Sequence, residues 1–170
     1  GGILPDQIND KKALSDFAQA LLKQDMFFLF ASEYHANHPN IAPADQFSAD
    51  APLVDLFKNW LGKSKFNYEN PVENQVKKLL ESTREQSEYA DFHKNMLTQS
   101  ASWTTNIDRE FSRHTQELKP LLEQELIMHY YLQKGLNAWS VRRDPTILMA
   151  VELLGKPTKF ASILARREKP

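Results

Sequence analysis

The chain has 170 residues, a formal charge of −1, no cysteine, 41% hydrophobic residues and 25% charged ones. That length suits one domain of roughly 100–200 residues whose core needs no cross-links. The near-cancelling charge speaks against a nucleic-acid binder; the missing cysteines exclude disulfides, thiolate catalysis and cysteine zinc sites; no run approaches the ~18 apolar residues of a membrane span.

The chain opens on "GGILPD", where Gly2 to Leu4 is the only strand-like stretch of any length. Asn9 or Asp10 then caps a helix starting near Lys11 and running to His35. Leu14, Phe17, Leu21, Leu22, Phe28 and Leu29 recur at roughly helical spacing, and "DMFFLFASEYH" is apolar almost all round, as in a helix buried on several sides. "NHPN" ends that helix, because the residue before a proline leaves the helical region. The proline-broken run from Asn37 to Ala51 reads as an irregular connection. Pro52 suits a first helical position after Asp50 or Ala51, with Leu53, Leu56, Phe57 and Trp60 facing inward and Gly62 as the stop. Asn70 and Pro71 cap and start the next helix, whose expected buried face is Val72, Val76, Leu79 and Leu80.

From Glu81 to Lys119 the sequence is polar, with anchors at Tyr89, Phe92, Met96, Trp103, Ile107 and Phe111. The spacing predicts one or two helices, broken at "TQSASWTT", where side chains compete for backbone hydrogen bonds. Pro120 is expected to restart or kink a helix that carries Leu122, Leu126, Ile127, Tyr130 and Tyr131 and ends near Gly135. Asp144 and Pro145 cap and start "TILMAVELLG", closed by Gly155. The tail from Lys156 to Pro170, with Phe160, Ile163 and Leu164 among five cations, reads as a short helix or a frayed end. The fold class is therefore all-α: an irregular bundle of five to seven helices, with residues 1–9 as a linker, 10–155 as the helical domain and 156–170 as a basic tail.

No motif for catalysis stands out. His35 and His38 are three apart, but Pro39 takes the second off the helix, and a histidine favoured by a helix C-terminus accounts for the pair. His129 lies on an apolar helix beside Tyr130 and Tyr131; a core histidine explains it better than a catalytic one, since no GxSxG turn is present. An enzyme built on His129 with Glu125 or a nearby serine requires a concave polar pocket at that histidine. Glu123 beside Glu125 is explained by its place near the restart of a helix. Lys77, Lys78, Lys119, Lys134 and Lys159 read as solvated charges. No cofactor or metal is expected.

"GGILPD" resembles the glycine-glycine-aliphatic-x-Pro-Asp turn that closes the peptidase core of carboxyl-terminal processing peptidases, the tail-specific proteases. Members of Bacteroidetes type, with a long C-terminal extension, are the most similar. "LKPLLEQELIMHYY" followed by "RRDPTILMAVELL" matches the late helices of that extension in order. Ser82 to Arg113 carries no matching motif. The resemblance implies a parent serine endopeptidase with a Ser–Lys pair and a PDZ domain, all upstream, in the periplasm or cell envelope. It assigns no catalytic residue here. The implied role is to pack on the peptidase core, shape substrate access or mediate self-association, using Phe57, Trp60, Tyr130, Tyr131 and Trp139 if those rings are not consumed inside the domain. A stand-alone helical adaptor that takes a peptide helix in a groove is the alternative.

Overall fold

The computed structural model describes residues 13–100 and 106–165, and all regular structure among them is helical. The order is α1 (Asp16–Lys23), α2 (Met26–Asn37), α3 (Ala51–Lys63), α4 (Pro71–Thr83), a 3₁₀ turn (Ser87–Tyr89), α5 (Ala90–Ser100), α6 (Ile107–Ser140), α7 (Pro145–Leu154) and α8 (Pro157–Ala165). α1 and α2 are the two halves of one expected helix; joined, they bring the described helices to seven. The all-α class holds. The expected strand at Gly2–Leu4 and the caps at Asn9 or Asp10 lie outside the described residues.

Four sequence expectations need correction. The first helix does not begin near Lys11: residues 13–15 are non-helical, and Ser15 caps α1 by accepting from the Ala18 N–H. Asp25 then breaks the rod with a left-handed φ of 56°, so the apolar "MFFLF" run leaves at a new angle. Pro120 does not interrupt α6, which keeps helical dihedrals there; the break is at Leu132, with φ 55° and ψ −159°. The stretch Val72, Val76, Leu79 and Leu80 is not buried: Val72 and Leu79 are exposed, and α4 fully buries only Thr83.

α6 organises the molecule. Phe111, Leu118, Leu122 and Leu126 recur along it at seven, four and four residues and are all buried. That stripe packs against α1, α2 and α3. Phe57 of α3 sits at the centre with no exposed surface, its ring 5.1 Å from Phe27, 5.0 Å from Phe30 and 5.7 Å from Phe111. Each such side chain contributes roughly 1.5–3 kcal/mol by burial.

The irregular connection between α2 and α3 is strapped onto α6. Tyr131 donates to the carbonyls of Ile41 (3.0 Å) and Ala42 (3.1 Å), and Tyr130 donates to the His38 carbonyl. The buried Glu123 carboxylate accepts from the Ala49 N–H at 2.8 Å and the Ser48 hydroxyl at 3.0 Å. Arg143 donates to the Phe47 carbonyl at 2.9 Å. Loop polar groups without a ladder partner are thus satisfied by side chains of α6 and of the turn that follows it.

Two hairpins extend from this core. α4 packs with α5, and α7 packs with α8. α5, α7 and α8 contain no fully buried residue.

Candidate functional site

The aromatics singled out from the sequence serve mainly inside the domain. Phe57 is the core's central ring, and Trp139 is 4% exposed, with the Arg143 guanidinium 5.2 Å from its ring centre. Tyr130 and Tyr131 are half-buried and spend their hydroxyls on the strap. Burial raises the Tyr130 phenol above its ordinary pKa, helped by its neighbours Tyr34 and Tyr131. Trp60 is half-buried too, and donates its indole N–H to Glu33 at 2.7 Å.

The histidine alternative can be judged on geometry. Ser32 Oγ lies 3.0 Å from His129 Nε2, while His129 Nδ1 lies 2.9 Å from the Glu125 carbonyl and 3.5 Å from its carboxylate. Serine, histidine and carboxylate do meet, though on α2 and α6 rather than on one helix. What they lack is the rest of an acyl-transfer site. Ser32 is deep in α2, so its own N–H belongs to the helix ladder and is not free to hold an oxyanion. Its hydroxyl also lies 2.9 Å from the Phe28 carbonyl, and the Phe28 ring is 5.0 Å from the imidazole. The trio is an interhelix tie.

His114 stands between Glu110 Oε2 (3.7 Å) and Glu117 Oε2 (3.6 Å), and Glu117 accepts from both the N–H and hydroxyl of Ser15. That cluster anchors the start of α1 on α6. Among the described residues no group of three or more histidine, aspartate and glutamate side chains could hold a metal. His35 and His38 follow suit: His38 stacks on Tyr34 at 4.0 Å and His35 meets Tyr130 edge-on.

The surface that the core does not use is apolar. On α7, Leu148 is 49%, Val151 62% and Leu154 63% exposed; on α8, Phe160 and Leu164 are exposed as well. α7 is "PTILMAVELL", apolar but for Thr146 and Glu152, and held at its start by Asp144 accepting from the Thr146 and Ile147 N–H groups. α4, the 3₁₀ turn and α5 expose a second set: Val72, Leu79, Tyr89, Phe92 and Leu97. A helix apolar all round is normally buried. A hairpin that exposes Leu148, Val151, Leu154, Phe160 and Leu164 is a candidate interaction site. Sequence reasoning missed it because aromatic residues carried the search; the largely apolar composition of α7 was the available signal.

No helix among the described residues is long and apolar enough to cross a membrane. A family model described as "Probable PDZ-protease, C-terminal helical domain" matches residues 17–154. No curated protein and no solved structure matches the chain.

Proposed function

Because the chain belongs to the C-terminal helical domains of probable PDZ-proteases, we propose that it is a non-catalytic module that docks on the protease and PDZ parts of its parent through the α7–α8 hairpin. One observation carries this: α7 has only Thr146 and Glu152 as polar side chains and yet has no fully buried residue. Burying Leu148, Val151, Leu154, Phe160 and Leu164 on a partner yields about 25 cal/mol per Å² of apolar area. A parent that carries the domain in the same chain supplies that partner at high effective concentration. Docking beside the peptidase gives the module its way to shape substrate access. Membership of that family supports a domain of a larger protease over a stand-alone adaptor.

We read the parent further as a carboxyl-terminal processing serine endopeptidase of Bacteroidetes type, working in the periplasm or cell envelope. The support is the "GGILPD" turn followed by the late helices in order. The test replaces Leu148, Val151 and Leu154 by serine in the full-length parent. Expected is a domain that folds but is released from the protease part, seen as faster proteolytic clipping between them and altered turnover of a protein substrate. Unchanged clipping and unchanged turnover would reject the docking role. Peptide hydrolysis by the isolated 170 residues would reject the non-catalytic one.

A further inference from the structure

A cleft of about 240 Å³ lies between the end of α2 and α3, away from both hairpins. Phe30, 3% exposed, Tyr34 and Trp60 supply three rings to it, and Leu56 adds an exposed aliphatic edge. The Phe30 and Trp60 rings meet edge-on at 5.6 Å, and Phe30 and Tyr34 lie 5.7 Å apart, 30° from parallel. Phe30 is nearly buried and Tyr34 carries His38 stacked at 4.0 Å, so half-buried Trp60 is the ring left to receive an occupant. Glu33 is the single lysine, arginine, aspartate or glutamate of the lining, and Trp60 fixes it: the indole N–H holds Glu33 Oε2 at 2.7 Å. Among the described residues Glu33 Oε1 has no hydrogen-bond partner.

We infer that this cleft binds a basic side chain, an arginine or lysine, presented by a protein partner. Ring faces attract a cation through their quadrupoles, and more strongly where water is partly excluded. The volume suits one side chain rather than a helix. The carboxylate gives the charged head a hydrogen-bonding end point, while the rings and Leu56 cover its methylene stem. Among the described residues no lysine or arginine lines the cleft. The helix end that frames it is closed by its own contacts, with Asn37 donating to the Glu33 carbonyl and His38 Nδ1 lying 3.0 Å from the Tyr34 carbonyl.

The site does not depend on docking by α7–α8, and the isolated chain tests it. Acetyl-arginine amide and its neutral counterpart acetyl-citrulline amide are titrated at fixed ionic strength, following the indole N–H resonance of Trp60 by NMR, assigned through Trp60→Phe. Expected is a saturable shift with arginine and binding about tenfold weaker with citrulline, since the two differ chiefly in charge. Glu33→Gln, on an exposed residue, should bring arginine down toward citrulline. Equal responses to the two probes, no saturable shift in the unmodified chain, or undiminished binding by Glu33→Gln would overturn the assignment.

Discussion

At the scale of single residues the core is set by a few close approaches and buried polar ties. Gly135 is the clearest: a Cβ there would fall 2.1 Å from Tyr131 Cβ and 3.3 Å from an Ile127 methyl. Gly135→Ala should therefore lose about 1–3 kcal/mol by overpacking, despite alanine's helix propensity, measured by urea unfolding. Glu123 is the second. Removing its carboxylate strands the buried Ala49 N–H, so Glu123→Ala should lose about 1–3 kcal/mol, read in the same way. Tyrosines set the alkaline limit. The phenols of Tyr34, Tyr68 and Tyr130 are raised above 10.0, chiefly by burial; for Tyr68 the carboxylates of Glu110, Asp16 and Glu73 add to it. For an acid whose folded pKa is raised, the folded state holds the proton longer. Stability is then full below pH 10.0 and falls as pH rises through the folded values. Urea midpoints should drop above about pH 10, and Tyr68→Phe should flatten the drop.

At the scale of elements, caps and apolar spacing made most helices legible. Asp50, Asn70 and Asp144 each accept from the first turn of the helix they precede, as their side-chain chemistry implies. The failures have a physical cause. Asp25 and Leu132 adopt positive φ without glycine, so no residue type announces the breaks between α1 and α2 or within α6. Pro120 announces a break that does not occur, because α6 is held by its stripe of buried leucines against three neighbours. The Val72–Leu80 face has correct spacing and wrong burial, since periodicity says which residues align and not whether anything covers them. The same logic separated the candidate aromatics from the surface: Phe57 and Trp139 read as docking rings are core, whereas aliphatic α7 is uncovered. Leu132 holds an unfavourable backbone while its side chain is 68% exposed. Leu132→Gly should accordingly raise stability by about 1 kcal/mol in thermal unfolding, the relief of strain outweighing glycine's entropy.

For the whole molecule, the partition of apolar surface argues for a module made to sit against something else. The α1–α3 and α6 core is filled by its own rings and leucines, so it has no need of α7–α8. Serine at Leu148, Val151 and Leu154 should thus change the unfolding of the isolated chain by no more than about 0.5 kcal/mol, as for other exposed positions. The same changes should matter greatly in the parent. Hydrogen exchange of the α7 and α8 amides, compared between the isolated chain and the full-length parent, tests this most directly. Docking requires those amides to exchange at least about tenfold more slowly in the parent, while core α6 amides stay alike. Equal exchange of α7 and α8 in both settings would contradict it.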